Sequence, residues 1–204
     1  MGNIGIIGRA RTGKDTAGTW LVENRGYRRI AFADPLKEAA LKLDPIINYI
    51  DMGQVPGKPR TWLPDRLSEL VACDGWERAK DEYPEVRRVL QELGAAIRAI
   101  DPEFWIRTAL TRVQEANESG VPAVITDVRY PNEVASLKRA GFHLIHISRP
   151  GAALLTHESE GAVSMSDADH LITNDGAITD LRHRIERVWE DVERAESRRH
   201  FARL

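Results

Sequence analysis

Short apolar runs of strand length alternate along the chain with longer segments in which apolar residues recur at helical spacing. The runs lie at 4–7, 27–32, 122–127, 143–148 and 171–172. Strands that are separated by helices pair in parallel, and helices cover both faces of the resulting sheet. The pattern therefore predicts an α/β fold with a central parallel sheet of about five strands flanked by helices.

Apolar periodicity and capping residues delimit the predicted helices. An Asp followed by a Pro at the first helical position marks two helix starts, at Asp34-Pro35 and Asp101-Pro102. Gly141 ends a crossover helix over 131–140. The remaining predicted helices are a short one at 66–73, a longer one at 84–100 and a closing helix whose apolar stripe extends from Ile178 to Val192.

Two segments show neither the apolar runs of strands nor the helical spacing of apolar residues. Segment 44–64 contains two glycines and four prolines, and we expect it to be an irregular insertion. Segment 149–167 contains two glycines, three serines and one histidine without clean periodicity, which is typical of a mobile lid. A chain of 204 residues can bury one core that carries such insertions, so we expect a single domain over residues 1–204.

The first strand leads at once into a glycine-bounded loop and then a helix. In this arrangement backbone N–H groups converge on the phosphates of a nucleotide, and a lysine, here Lys14, reaches the outer phosphates. Asp15 follows the lysine and the hydroxyl comes one residue later, an order closer to nucleoside monophosphate kinases than to motor or GTPase loops. The predicted ATP-binding residues of the loop are Gly8, Arg11, Thr12, Gly13, Lys14, Asp15 and Thr16.

Charge and cysteine content narrow the class of partner. The formal net charge is −2 and 29% of the residues are charged, so no overall basic field favours a nucleic-acid polymer. The single cysteine, Cys73, cannot form an internal disulfide, which indicates a buried or half-buried thiol in a reducing compartment. The chain begins with a core strand and has no apolar run near the roughly 18 residues of a membrane span. We therefore expect a cytoplasmic protein with no membrane partner.

Asp127 ends an apolar run downstream of the phosphate loop. A carboxylate at the C-terminal tip of such a buried strand is where these folds hold Mg²⁺, directly or through water. Two residues on, Arg129 has the planar fork of donors that suits a phosphate. Asp15 has two interpretations of equal weight: it orders the water shell of the metal, or it is an acidic residue in the first turn of a helix.

A polar face on the helix at 84–100 is a candidate nucleotide site. Gln91, Gly94 and Arg98 share this face, and Gly94 leaves room for a ligand against the backbone. Gln91 suits a base edge and Arg98 suits the phosphate of an acceptor, although a solvated polar face is the other interpretation. Asp34 and Lys37 follow the second strand, where open α/β sheets bind ligands, and Asp34 also suits a helix cap.

Six blocks of sequence, in order, resemble the bacteriophage-type deoxynucleoside monophosphate kinases. The resemblance covers nearly the whole chain. It implies a P-loop kinase fold on which the γ-phosphoryl group of ATP is transferred, with Mg²⁺, to a deoxynucleoside monophosphate. The blocks are Gly13-Lys14-Asp15-Thr16, 32–37, 90–94 with Arg98 and Trp105, 127–133, 157–160 and 174–176.

The motifs and the resemblance together assign roles to named residues. The helices at about 65–118 are expected to bind the acceptor. The catalytic residues are Lys14, Asp127, Arg129 and Arg149, and the metal ligands are Asp127 and Asp15. The acceptor-binding residues are Phe32, Asp34, Lys37, Gln91, Gly94, Arg98, Trp105, Arg129, Asn132 and Glu133.

Arg149 begins the predicted lid, directly after the strand at 143–148. A lid that closes over ATP brings charge to the transferring phosphoryl group and excludes water. In the same segment, His157, Glu158 and Glu160 suit a lid or hydrogen-bonding role better than a metal site, because no partner at ligand spacing accompanies them.

Two histidines on one strand and the turn after the last strand also have predicted roles. His143 and His146 lie along one predicted strand and are expected to be structural. Asn174 to Gly176 follow the last strand and suit a turn that cradles adenine, so Asn174 completes the predicted ATP-binding set.

Two other functions stay open on the sequence alone. A kinase of another small acceptor, such as phosphomevalonate or dephospho-coenzyme A, is compatible with the loop, although the acceptor blocks favour a nucleotide. A switch protein would hydrolyse ATP or GTP slowly, but the chain has no Asn-Lys-x-Asp guanine motif and a switch needs no acceptor blocks. The sequence does not decide base preference, ribose rejection or whether the protein forms a homodimer.

Overall fold

The computed structural model describes residues 2–54, 56–151 and 163–202. The chain divides into two compact units, of which the first comprises Met1–Phe32 and Ile106–Leu204 and the second comprises Ala33–Trp105. None of the described helices is both long and apolar enough to cross a membrane. In chain order the elements are β1 (Ile4–Ile7), α1 (Lys14–Arg25), β2 (Arg28–Ile30), α2 (Ala33–Leu43), β3 (Ile46–Asp51), β4 (Trp62–Arg66), α3 (Leu67–Glu82), α4 (Pro84–Ile100), α5 (Phe104–Glu118), β5 (Ala123–Val128), α6 (Pro131–Arg139), β6 (His143–Ser148), a short 3₁₀ helix (Met165–Asp167), β7 (His170–Thr173) and α7 (Ile178–Phe201).

A five-stranded parallel sheet in the order β2-β5-β1-β6-β7 forms the centre of the first unit. β1 lies between β5 and β6, with Ile4 opposite Val124 on one side and Ile7 opposite His146 on the other. The predicted fold class and the number of strands are confirmed. Because the strands are parallel, their C-terminal ends lie at one edge of the sheet, where open α/β sheets bind ligands.

Alternate residues of each strand pack on opposite faces of this sheet, as the strand period of two requires. Val124 and Ile145 belong to the core formed with α1 and α7, whereas their neighbours Ile125 and Leu144 belong to the core formed with α5 and α6. All four side chains are buried. Burial on both faces explains why these strands are continuous apolar runs in the sequence.

The second unit is built from α2, α3, α4 and an antiparallel hairpin of β3 and β4. Its core contains Ala40, Leu67, Ala79 and Val86, all with no exposed surface. Helix α3 kinks at Gly75, whose φ of 73° is outside the helical region.

The prediction of an irregular insertion over 44–64 is wrong in part, because the segment contains β3 and the start of β4. Pro45 directly precedes β3, and Pro64 lies within β4 opposite Tyr49. Each strand of a two-stranded hairpin has an unpaired edge, so it can accommodate a proline that a central strand could not. Proline content alone was therefore a misleading signal here.

Several other boundaries differ from the predicted ones. Helix α3 extends to Glu82, well past the predicted end at 73, and α5 begins at Phe104 rather than next to Asp101. Helix α2 begins at Ala33, so Asp34 lies in its first turn and the predicted cap is wrong. Cys73 is exposed, which contradicts the expected burial. Helix α4 and β6 have the predicted bounds.

Gly18 lies where α1 packs closely on β5. An ideal Cβ on Gly18 would lie 2.4 Å from Cγ2 of Thr126, closer than real carbon atoms approach. We expect Gly18→Ala to lower the melting temperature, because overpacking costs about 1–3 kcal/mol and outweighs the roughly 1 kcal/mol that alanine gains as a helix former. Thermal unfolding followed by circular dichroism measures this, and Thr19→Ala at the exposed neighbour is the matched control.

The double variant Gly18→Ala, Thr126→Ser should recover much of the lost stability, since serine lacks the clashing methyl group. A melting temperature that does not fall in the single variant, or does not recover in the double variant, would contradict this packing.

Candidate functional site

The loop between β1 and α1 has an unusual backbone. Gly8, Arg11 and Gly13 have positive φ angles of 151°, 61° and 104°. An ideal Cβ on Gly8 would lie 2.4 Å from the carbonyl oxygen of Ile147, and one on Gly13 would lie 2.8 Å from Nδ2 of Asn174. Both positions therefore require glycine, for the conformation and for the close approach of neighbouring segments.

Two side chains of this loop bind its own backbone. Thr12 Oγ1 donates a hydrogen bond of 2.9 Å to the carbonyl oxygen of Arg9, and Lys14 Nζ donates to the same oxygen. Thr12 is almost fully buried, whereas Arg9 is exposed. The Lys14 ammonium is thus held over the turn at the N-terminus of α1, where the helix dipole also favours an anion.

A cavity of about 390 Å³ opens on the loop. It is bounded by the loop, by the ends of β5 and β6 and by Val163 and Met165 near the 3₁₀ helix. Among the described residues that line it, no side chain is a carboxylate, whereas four carry a positive charge. These four are Arg9, Lys14, Arg129 and Arg149. A concave site of this size and charge suits a phosphorylated small molecule.

The order of the strands brings these cations together. Lys14 begins the helix after β1, Arg129 follows β5 and Arg149 follows β6, so the three lie beyond neighbouring ends of a parallel sheet. The buried Glu133 carboxylate fixes the turn after β5, because its Oε2 accepts hydrogen bonds of 2.7 and 3.0 Å from the N–H groups of Arg129 and Tyr130. The order of the strands therefore produces the cationic cavity.

Asp127 lies near the end of β5 and is half-buried. Its Oδ1 accepts a hydrogen bond of 2.9 Å from the N–H of Phe32. The described residues contain no group of three or more His, Cys, Asp or Glu side chains that could hold a metal ion. Mg²⁺ at phosphate sites needs no such group, since one or two carboxylates, phosphates and water complete its shell. Asp127 supplies one carboxylate at the strand end, but it is not among the described residues that line the cavity, so its contact with a metal stays a prediction.

The predicted donor residues divide into two sets. Those that line the cavity are Gly8, Thr12 and Lys14. Those that belong to the loop or the first turn of α1 but are not among the described lining residues are Arg11, Gly13, Asp15 and Thr16, whose contacts with a donor stay predictions.

Asn174, the remaining predicted donor residue, directly follows β7 and is 9% exposed. Its Nδ2 donates a hydrogen bond of 2.9 Å to the carbonyl oxygen of Thr12, and its backbone N–H donates one of 2.7 Å to the carbonyl oxygen of Ser148. The side chain thus binds the phosphate loop itself. A contact with adenine stays a prediction.

The polar face of α4 belongs to the second unit. Gln91 is exposed and Arg98 is half-buried. The Trp105 indole N–H donates a hydrogen bond of 3.3 Å to the carbonyl oxygen of Gly94, and an ideal Cβ on Gly94 would lie 3.2 Å from Cδ2 of Leu36. Protein side chains therefore pack against the backbone at Gly94, and the acceptor contacts of this face stay predictions.

The other predicted acceptor residues occupy different environments. The Phe32 ring is buried in the core formed with α5 and α6. The Lys37 ammonium lies 5.5 Å from the centre of the Trp76 ring. Asn132 is half-buried in the first turn of α6, and Asp34 is half-buried in α2. None of these positions tests a role in acceptor binding.

The predicted lid is described in part. Arg149 lines the cavity, and Val163 and Met165 line it from the far end of the segment. The action of Arg149 on phosphate stays a prediction. His157, Glu158 and Glu160 lie outside the described residues.

The sequence predicts a structural role for His146, and the structure places its side chain at the cavity. It lies opposite Ile7 on β1, lines the cavity and has a buried Nδ1 with no hydrogen-bond partner among the described residues. Burial and the nearby charges of Arg9 and Lys14 hold the pKa of His146 below its usual range. Its position three residues before Arg149 was a weak signal, because the sequence does not say which face of a strand meets the loop.

The fold and the site together define a P-loop kinase. A dephospho-CoA kinase from Campylobacter jejuni superposes with a TM-score of 0.50 over 93% of this chain and 96% of that one. The two sequences are 13% identical, so this likeness shows the fold alone.

The sequence model of the deoxynucleotide monophosphate kinase family matches residues 72–185, more than half of the chain. The chain belongs to this family, and it is a phosphotransferase of the nucleotide kinase class. The predicted family is thereby confirmed.

Named relatives agree with this assignment. A protein of Acanthamoeba polyphaga mimivirus, provisionally named a deoxynucleotide monophosphate kinase, is 28% identical over an alignment of 189 residues that covers 89% of this chain and 93% of the relative. The deoxynucleotide monophosphate kinase of Enterobacteria phage T4 is 31% identical over an alignment of 104 residues that covers 49% of this chain and 43% of the phage protein.

His146 should make the stability of the protein depend on pH. Its pKa is lowered in the folded state, so between that value and about 6.5 the unfolded chain binds a proton that the folded chain does not. The free energy of unfolding should therefore fall as the pH drops below about 6.5. We expect His146→Gln to reduce this slope, measured by urea unfolding at several pH values.

His183→Gln, at an exposed position of the same unit, is the matched control for the loss of an imidazole. Equal slopes in the wild type and in His146→Gln would show that His146 does not stay neutral through this range.

Proposed function

We propose that the enzyme transfers the γ-phosphoryl group of ATP to a deoxynucleoside 5′-monophosphate to give the diphosphate. The observation that carries this proposal is the cavity on the phosphate loop, where the charged side chains among the described lining residues are all cationic. Membership of the deoxynucleotide monophosphate kinase family supports a nucleotide as the acceptor.

Phosphoryl transfer needs alignment and positive charge more than covalent help. In our proposal Lys14 exchanges the carbonyl oxygen of Arg9 for the outer phosphates of ATP, a short movement of a flexible side chain. Arg129 and Arg149 neutralise the charge that spreads over the moving phosphoryl group. Arg149, at the start of the segment predicted to be a lid, also helps to exclude water from the transfer.

Mg²⁺ belongs to this proposal as the ion that neutralises and orients the phosphates of ATP. Asp127 would hold it, directly or through water, and Asp15 is the second candidate ligand. The Phe32 N–H fixes the Asp127 carboxylate at the end of β5, which limits the loss of side-chain freedom on binding.

We propose that Gln91 binds the base of the acceptor and that Arg98 binds its phosphate. Both lie on α4, about two turns apart, on the face that also contains Gly94. The remaining predicted acceptor residues support this set in the proposal: Phe32, Asp34, Lys37, Gly94, Trp105, Arg129, Asn132 and Glu133.

An assay of ADP release tests the acceptor class. We would supply ATP and Mg²⁺ with each deoxynucleoside monophosphate, each ribonucleoside monophosphate, dephospho-coenzyme A and phosphomevalonate. The proposal expects turnover that depends on a deoxynucleoside monophosphate. Turnover with dephospho-coenzyme A or phosphomevalonate alone would sink it.

Lys14→Ala and Asp127→Asn should each lower kcat for every acceptor by about a hundredfold or more, because both residues act on the donor phosphates and the metal. Steady-state kinetics at saturating ATP measures this. Lys138→Ala, at an exposed position of α6, is the matched control for the loss of a lysine. If either variant folds and keeps near-normal turnover, that residue plays no part in the mechanism.

Arg98→Ala should reduce kcat/KM for the acceptor by about a hundredfold or more while ATP affinity stays almost unchanged, because the lost contact is a charge-assisted one to the acceptor phosphate. Kinetics with varied monophosphate, combined with a direct ATP titration, measures both quantities.

Arg88→Ala is the control on the same helix, since Arg88 makes only exposed ion pairs, to Glu85 and Glu92, among the interactions of the described residues. Such pairs contribute about 0–1 kcal/mol to stability. Their removal should therefore leave both kcat/KM for the acceptor and the affinity for ATP unchanged. An unchanged kcat/KM in Arg98→Ala would remove Arg98 from the acceptor site.

A further inference from the structure

Asn174 touches the phosphate loop from outside the cavity. It is not among the described residues that line the cavity, yet its Nδ2 lies 2.9 Å from the carbonyl oxygen of Thr12. A carbonyl oxygen can only accept a hydrogen bond, so the side-chain amide must present its NH₂ group to the loop. Asn174 is 9% exposed and Thr12 is 2% exposed, so this is a hydrogen bond shielded from water.

The position of Asn174 is itself fixed. Its backbone N–H donates a hydrogen bond of 2.7 Å to the carbonyl oxygen of Ser148, the last residue of β6. Its Nδ2 also lies where a side chain on Gly13 would be, 2.8 Å from the ideal Cβ. The amide is therefore packed against the loop and anchored to the sheet.

The bond to Thr12 decides the direction of the next N–H group. A peptide unit is planar, and the structure has no cis peptide bond among the described residues, so the carbonyl oxygen of Thr12 and the N–H of Gly13 point in opposite directions. With the oxygen tied to Asn174, the N–H of Gly13 must point away from Asn174. The φ angle of 104° at Gly13 is one that glycine adopts and that other residues rarely do, so this peptide unit has little local preference of its own.

We infer that Asn174 is a positioning residue, which holds the Thr12–Gly13 peptide so that the Gly13 N–H is available to the phosphates of the donor. The inference rests on the proposed function, since it needs a polyphosphate in the cavity. It differs from the predicted role of Asn174 as a contact to adenine, because it requires no contact between Asn174 and the nucleotide.

A ligand without a base distinguishes the two roles of Asn174, which are positioning of the loop and contact with adenine. We would titrate ATP and inorganic tripolyphosphate, each with Mg²⁺, into the wild type, Asn174→Ala and Asn174→Asp. Aspartate has nearly the shape of asparagine but no N–H to donate, so it keeps the packing and loses the bond. We expect both variants to bind ATP and tripolyphosphate at least about tenfold more weakly, since a buried carbonyl is left without its partner.

Asn3 offers a matched control at the N-terminal end of β1, the central strand, away from the phosphate loop. It is 5% exposed, and its Oδ1 accepts a hydrogen bond of 2.8 Å from the N–H of Ala123, so it too joins neighbouring segments through a buried amide. Asn3→Ala should lower the melting temperature and leave both ligand affinities unchanged. Steady-state kinetics adds a second readout: in the Asn174 variants the KM for ATP should rise while the KM for the acceptor stays constant.

Each other outcome overturns the inference. If the variants bind ATP more weakly but bind tripolyphosphate as well as the wild type, Asn174 contacts the base. If only Asn174→Asp loses affinity and Asn174→Ala does not, the loss comes from charge repulsion by the new carboxylate. If Asn3→Ala loses as much ligand affinity as the Asn174 variants, the loss comes from general destabilisation of the fold. If the wild type binds neither ligand, the proposed function fails; if the wild type binds both and the Asn174 variants match it, only the role of Asn174 fails.

Discussion

The phosphate loop must hold a backbone that the chain would not adopt alone, and the rest of the site depends on how that backbone is held. Arg11 has a left-handed φ of 61°, which costs a residue with a side chain about 1–2 kcal/mol. Gly8 rests against the carbonyl of Ile147, and Gly13 against Asn174. The conformation is therefore maintained by contacts with segments that end β6 and follow β7, which are distant in sequence.

The same contacts explain the electrostatics of the site. Tight packing of the loop on β6 places it next to Arg149 and His146, and pairing of β1 with β5 adds Arg129. Like charges collected in one cavity repel each other in the free protein, and burial with Arg9 and Lys14 is what lowers the pKa of His146. A bound polyphosphate would relieve that repulsion, so the charge arrangement favours the loaded state.

The sequence predicted the parts of this site that depend on local order along the chain. Lys14 follows a strand and a glycine-bounded loop, and Arg149 follows an apolar run, so both positions could be read from neighbours in sequence. Contacts across the sheet could not. The bond from Asn174 to the loop depends on strand order, and the exposure of His146 to the cavity depends on register, which no local pattern encodes. The hairpin of β3 and β4 was missed because its prolines lie where a two-stranded sheet can accommodate them.

We propose that this cavity binds ATP and passes its γ-phosphoryl group to a deoxynucleoside monophosphate. The fate of that phosphoryl group is a direct test of the transfer. We would incubate the enzyme with γ-labelled ATP, Mg²⁺ and a deoxynucleoside monophosphate, and separate the products. We expect the label to appear in the deoxynucleoside diphosphate, one label for each ADP formed. Label found in inorganic phosphate, at a rate that does not depend on the monophosphate, would rule out this transfer.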